Sequence, residues 1–138
     1  GLTYVIYKLC ETQTSDGTLS PIMKLSKDKI TLPGRKQVYR ITNGDGTFKK
    51  DVVALANEPA VGEPLLIKVM ENGKLKYTLP SLIQIRDRAS ENLSKLHRQY
   101  KALTNAATYP VELSKKLEEL TETLKLQIIK NEVNNGKT

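Results

Sequence analysis

Residues 78–103 read TLPSLIQIRDRASENLSKLHRQYKAL, and within them the hydrophobic period of the chain changes. Ser81 with Gln84 fits the Ser/Thr-x-x-Glu/Gln capping box, in which each side chain satisfies a backbone N–H left free at a helix start. From there Leu82, Ile85, Ala89, Leu93, Leu96, Tyr100 and Leu103 recur at spacings of three and four, with Arg86, Arg88, Lys95 and Arg98 outside the stripe. That period predicts an amphipathic helix of about six turns. Residues 104–110 interrupt it, and Pro110 biases Tyr109 toward extended backbone. Leu113, Leu117, Leu120, Leu124 and Ile128 then mark a second helix, with Ser114 as its cap and Asn134-Asn135-Gly136 as its end. Stripes of this kind are helix packing surfaces, so both are expected to be buried.

Upstream of Pro80 the period is two. Residues 3–11 are rich in β-branched and aromatic side chains, 22–25 is short and apolar apart from Lys24, 37–41 alternates, and 47–56, 65–70 and 74–78 are strand-like, so each is expected to be a strand. Turn chemistry separates them. Pro33-Gly34 suits a type II turn, Asn43-Gly44-Asp45-Gly46 and Glu71-Asn72-Gly73 suit hairpins because Asn, Asp and Gly accept positive φ, and 13–20 and 57–63 read as loops. The expected fold is α+β: antiparallel hairpins or a meander in the first 80 residues, followed by two amphipathic helices. One domain over 1–138 is expected, with a β part over 1–80, a helical part over 81–133 and a tail over 134–138. The 138 residues are enough for a core without disulfides or metal.

The charge is concentrated. The chain carries 22 Lys and Arg against 15 Asp and Glu, and residues 20–50 alone hold eight Lys and Arg against two Asp. Lys24, Lys27, Lys29, Arg35, Lys36 and Arg40 flank the Pro33-Gly34 turn, which is expected to gather them at one end of a hairpin. Crowded cations favour phosphate or carboxylate among them, and Arg adds a planar fork for bidentate contact. The plainer alternative is a solvated basic surface.

Other chemistries lack their residues. The chain has no metal-ligand cluster, Walker loop, dinucleotide fingerprint or nucleophile elbow. Cys10 is the single cysteine, sits in an apolar run and has no neighbouring His, so it reads as inert. His97 lies off the helical stripe as a flank residue, and Asp28 and Asp51 have no carboxylate partner near them in sequence. No catalytic or metal-binding residue is therefore expected. A sequence pI of about 9.5 raises the alternative of a nucleic-acid-binding module. Against it, Phe48 is the only Phe and there is no Trp, so a stacking platform is poorly supplied. A second alternative is a dimerisation or interaction module built on the two helices. No apolar run is long enough to cross a bilayer and no signal peptide opens the chain, so a cytoplasmic protein without membrane contact is expected. The start at Gly1, directly into an apolar run, suggests an excised piece.

The stretch PIMKLSKDKITLPGRKQVYRI, residues 21–41, resembles the C-terminal region of nicotinate phosphoribosyltransferase. The resemblance rests on Tyr7-Lys8-Leu9, Lys24-Leu25-Ser26, Lys29, Thr31, Pro33-Gly34-Arg35-Lys36 and Val38-Tyr39-Arg40-Ile41. It continues through Asp51-Val52-Val53-Ala54-Leu55, Glu71-Asn72-Gly73-Lys74-Leu75, Leu79-Pro80-Ser81-Leu82 and Tyr109-Pro110-Val111-Glu112-Leu113-Ser114, in family order over nearly the whole chain. It implies the C-terminal domain of an enzyme that joins nicotinate to phosphoribosyl pyrophosphate with ATP hydrolysis, giving nicotinate mononucleotide for NAD synthesis. The family's phosphorylated histidine lies on an α/β barrel that precedes this region, so the chain alone is expected to be inactive and to bind no cofactor. ATP and magnesium are implied for the whole enzyme, with the barrel and N-terminal domain as partners and a homodimer when intact. By motif position Lys24 and Lys29, with Arg35 behind them, would reach toward phosphate.

Overall fold

The computed structural model describes residues 7–27 and 29–135. In chain order its elements are β1 (Glu11–Gln13), β2 (Leu19–Pro21), β3 (Leu25–Ser26), β4 (Lys29–Ile30), β5 (Lys36–Thr42), β6 (Phe48–Leu55), β7 (Glu63–Pro64), β8 (Met70–Glu71), β9 (Lys74–Leu75), α1 (Leu82–Lys95), a 3-10 turn (Arg98–Tyr100), β10 (Val111–Leu113) and α2 (Lys115–Asn135). Small antiparallel strands come first and two helices follow, which is the α+β architecture the change of period predicts. Their contacts divide into a first unit of Gly1–Lys36, Ala54–Glu58 and Leu113–Thr138 and a second of Gln37–Val53 and Pro59–Glu112.

The first unit begins with the antiparallel pair β1–β2, Thr12 opposite Ser20. The Thr14 N–H donates to the Thr18 carbonyl (3.0 Å), and Gly17 closes the turn at φ 88°, a conformation costly for any residue with a Cβ. The Asp16 carboxylate accepts from the Thr14 hydroxyl and the Thr18 N–H, which hold its pKa down at about 2. The expected strand over 3–11 falls partly on residues 1–6, outside the described residues. Its described end, 7–10, is not strand, and pairing starts only at Glu11.

Pro33-Gly34 is not the apex of a hairpin. The hairpin in this stretch is β3–β4, with Leu25 opposite Ile30 and Ser26 opposite Lys29, while β5 pairs elsewhere. The bend at Pro33-Gly34 is buried instead, because its backbone groups find partners inside the unit. The Gly34 N–H donates to the Cys10 carbonyl (2.7 Å), and the Arg35 carbonyl accepts from Ala56 N–H (2.9 Å). Gly34 has φ 73°, and a Cβ there would meet Leu55 Cδ2 at 2.9 Å, so glycine is required twice over. Among the described residues of this unit, Met23, Pro33, Ala54 and Leu117 are the buried apolar side chains.

The cap of α2 is the expected Ser114, whose Oγ accepts from Leu117 N–H (3.2 Å) and donates to Glu58 Oε1 (2.6 Å). Glu58 Oε1 also accepts the Leu55 N–H, so a fixed carboxylate sits at the positive end of the helix dipole. Within α2 the stripe is used as its spacing predicts, Leu117 being fully buried and Leu120, Leu124 and Ile128 half-buried, while Leu113, the first residue of the expected stripe, lies in β10.

In the second unit lies most of a four-stranded sheet of order β10–β6–β5–β7. The Asn43–Gly46 turn joins β5 to β6 as its residues predict, with Asn43 N–H donating to the Thr47 carbonyl (2.8 Å). Asn72 (φ 49°) and Gly73 (φ 72°) give the β8–β9 hairpin the two positive φ values of a type I′ turn. The capping box of α1 is complete, Gln84 N–H donating to Ser81 Oγ (3.3 Å) and Ser81 N–H to Gln84 Oε1 (2.8 Å).

Two expectations about α1 are corrected. The helix stops at Lys95 instead of running to Leu103, because Leu96 turns extended and His97 caps a new 3-10 turn through its Nδ1. Lys101 Nζ then donates to the Leu93 carbonyl (3.1 Å), satisfying one of the acceptors the helix end leaves open. The apolar stripe is not buried either. No residue of α1 is buried, Leu82 being 85% and Leu93 56% exposed.

Candidate functional site

The six cations of residues 24–40 separate into those already committed and those presented to solvent. Lys36 is committed: its Nζ donates to the carbonyls of Leu32 (2.8 Å), Pro33 (3.3 Å) and Gly34, holding the buried bend closed. Arg40 is committed, its Nε and Nη2 making a bidentate pair with Asp51 at 2.9 and 2.8 Å. Its guanidinium also lies 4.3 Å over the Phe48 ring. Arg35 donates through Nε to Glu11 Oε1 (2.6 Å) but keeps 65% of its side chain exposed.

Lys24 and Lys29 are brought together. The Lys24 N–H donates to Thr31 Oγ1 (2.8 Å) and the Thr31 N–H to the Lys24 carbonyl (3.0 Å), which extends the β3–β4 ladder by one pair. In an antiparallel ribbon, alternate residues share a face. Lys24, Ser26, Lys29 and Thr31 therefore stand on one face, and Leu25 and Ile30 on the other. Lys24 and Lys29 are diagonal neighbours there, about 7–8 Å apart at Cβ, within reach of one anion for two long side chains. Both are exposed, and among the described residues neither makes a salt bridge. Arg35 faces a separate cleft of about 430 Å³ lined by Glu11, Gly34, Leu55, Asn57 and Leu120. The strand and turn that the sequence predicted around Pro33-Gly34 do not gather the six cations; the short β3–β4 hairpin sets Lys24 and Lys29 on one face and carries the exposed Lys27 in its turn.

In the second unit, a network centred on Asp51 is absent from the sequence-based list of site residues. Asp51 is buried, pairs with Arg40 and accepts the Tyr109 hydroxyl at Oδ1 (3.1 Å), while its N–H donates to the Pro110 carbonyl (3.0 Å). The sequence signal for it is slight, an Asp between Lys49-Lys50 and the apolar half of its strand. The hydrogen bonds that Arg40 donates to Asp51 raise the Arg40 pKa further above its already high ordinary value. Burial, then the bond to Asp51, pushes the Tyr109 phenol above its ordinary range. The fold thus favours the protonated phenol, so its contribution to stability is present below about pH 10 and is lost as pH rises through the raised value. Tyr109→Phe is expected to flatten the alkaline limb of the stability curve, measured by urea unfolding between about pH 9 and 11. A limb as steep as the parent's would mean that other groups set it.

Among the described residues no group of three or more His, Cys, Asp and Glu is placed to hold a metal ion, and no helix is long and apolar enough to cross a membrane.

Residues 60–121 match the family described as nicotinate phosphoribosyltransferase C-terminal domain. The chain is 36% identical to the nicotinate phosphoribosyltransferase of Mus musculus in an alignment of 129 residues that covers 75% of this chain and 24% of that protein. It is 30% identical to the Bacillus subtilis protein of the same name, over 79% of this chain and 27% of that one. The crystal structure of human nicotinic acid phosphoribosyltransferase superposes with a TM-score of 0.65 at 30% identity, covering 78% of this chain and 26% of the human one. The chain thus spans about a quarter of the length of these relatives. By sequence and by fold, it belongs with the C-terminal domain of the nicotinate phosphoribosyltransferase family.

Proposed function

We propose that the chain is the C-terminal part of an enzyme that forms nicotinate mononucleotide from nicotinate, phosphoribosyl pyrophosphate and ATP, and that Lys24 and Lys29 contact phosphate there. The observation that carries the phosphate reading is the pair of lysines on one face of the β3–β4 hairpin, exposed and without a carboxylate partner among the described residues. Two ammonium groups at that spacing repel one another, and a phosphate or pyrophosphate between them relieves the repulsion. Arg35 is a weaker member of the set, because Glu11 already neutralises it and an anion must compete with that carboxylate.

In this reading the ring nitrogen of nicotinate displaces pyrophosphate from the ribose, and the cations orient the leaving phosphates. The barrel and N-terminal domain would supply the reacting groups, the chain alone being non-catalytic. Magnesium accompanying ATP would be held by the nucleotide and by residues of those parts. The exposed Leu82 of α1 fits a surface that packs on the rest of such an enzyme, a cytoplasmic homodimer when whole.

Two experiments test this. The purified 138 residues should show no turnover of nicotinate with phosphoribosyl pyrophosphate and ATP, and measurable turnover would overturn the division of labour. A charge-assisted contact is worth about 1.5–3 kcal/mol. In the full-length enzyme, Lys24→Ala should therefore lower kcat/KM for phosphoribosyl pyrophosphate or ATP roughly ten- to a hundredfold, with unfolding within about 0.5 kcal/mol of the parent. Lys49→Ala, an exposed cation on β6, is the control. Equal kinetics for the two variants would leave the basic stretch a solvated surface.

A further inference from the structure

The second unit contains a crevice that the phosphate reading does not use. It has a volume of about 440 Å³, within the range of small-molecule sites, and the aromatic residues Phe48, Tyr100 and Tyr109 line it. Residues of α1 line it too, and among them Ala89 contributes only a methyl group and leaves room. Tyr100 and Tyr109 meet edge to face, centroids 5.3 Å apart at 83°, so they offer both a ring face and a ring edge to an occupant. These walls suit a flat aromatic ring.

The polar groups restrict its chemistry. Arg40 is the cation of the crevice, but Asp51 takes its Nε and Nη2 and balances its charge. An anionic ligand would have to share this guanidinium with a buried carboxylate that repels it, whereas a neutral one leaves the balanced pair undisturbed. Asn92 lines the crevice and is solvent-exposed, which puts its amide at the mouth. A side-chain amide offers one donor and one acceptor in a plane, the complement of the N6/N7 edge of adenine. From this combination we infer that the crevice binds a neutral purine nucleoside, with the base against Tyr100 and Tyr109, its edge on Asn92 and the ribose toward solvent.

Adenosine titrated into the 138-residue chain, followed by isothermal calorimetry and by amide chemical shifts, tests this. A ligand of this size in a partly open site is expected to bind with a Kd of about 0.1 mM. Ala89→Trp fills the crevice and should abolish binding. Asn92→Leu should weaken adenosine roughly tenfold and leave indole binding unchanged. Both positions are exposed on α1, and circular dichroism reports whether each variant keeps its helices. If Ala89→Trp loses helix, Asn92→Leu decides. No saturable adenosine binding at a few millimolar, a range well above that expected Kd, would overturn the inference. Binding that survives Ala89→Trp in a folded protein would overturn it too, as would equal affinity for indole, uridine and adenosine.

Discussion

Asp51→Ala should cost the fold about 3 kcal/mol, the lower end of the range for removing one partner of a buried ion pair. The lower end applies because the pair is nearly but not fully dry, the Arg40 side chain keeping 21% and the Asp51 side chain 11% of its surface. Most of the loss comes from what remains. Arg40 keeps its charge beneath the sheet surface with no carboxylate to take its fork, and the Tyr109 hydroxyl loses its acceptor. The cost is therefore a property of the broken pair. Replacing both partners in Arg40→Met/Asp51→Leu removes the stranded charge, and the double variant should recover more than half of the loss. Urea unfolding of the parent, the single and the double variants measures this. Lys50→Ala is the comparison, since it breaks the Lys50–Glu112 bridge (2.6 Å), whose Glu side chain is 54% exposed and which is worth at most about 1 kcal/mol. If Asp51→Ala costs no more than Lys50→Ala, the Arg40–Asp51 pair is solvated like any surface bridge. If the double variant is as unstable as the single one, packing and not charge is what Asp51 contributes.

The parts of the fold legible in the sequence are those decided by neighbouring residues. The Asn72-Gly73 turn, the Asn43–Gly46 turn, the Ser81/Gln84 box and the Ser114 cap each depend on a few residues choosing backbone angles or satisfying a nearby N–H, and each forms as read. What was not legible depends on distant partners. Pro33-Gly34 has good turn chemistry, yet its place is decided by Cys10 and Ala56, 24 and 22 positions away from Gly34. The end of α1 is similar. The stripe continues to Leu103, but Leu96 leaves the helix and the lysine at 101 closes its end.

The candidate site shows the same division. That cations crowd residues 24–40 is a fact of composition, and composition cannot say which of them are spent internally. Three-dimensional pairing takes Arg40 to Asp51, Lys36 to three carbonyls and Arg35 to Glu11, while a two-residue ladder sets Lys24 and Lys29 side by side. Lys24 and Lys29 lie five apart in sequence, which along a single strand would put them on opposite faces. The turn between them reverses the chain and restores them to one face.

The first unit rests most heavily on a single side chain. Leu117 has no exposed surface, in a unit whose other buried apolar residues, among the described ones, are Met23, Pro33 and Ala54, with the buried Thr121 one helical turn on donating to the Leu117 carbonyl (2.6 Å). Leu117→Ala cuts a fully buried, branched four-carbon side chain back to a methyl group, removing three carbons. The loss is the transfer free energy of those atoms plus the cavity, together about 3–4 kcal/mol, because a helix fixed at its start by Ser114 and Glu58 cannot slide inward to close the gap. Leu126→Ala on the same helix makes the same chemical change at a position 68% exposed, and should stay within about 0.5 kcal/mol of the parent. Alanine has at least the helix propensity of leucine, so neither variant loses stability through the helix itself. The difference between them isolates burial. Urea unfolding followed by circular dichroism at the helix band gives both numbers in one experiment. Equal losses for the two variants would mean that Leu117 faces a space able to collapse around alanine, and that the first unit is held by its turns and caps, with little contribution from a packed core.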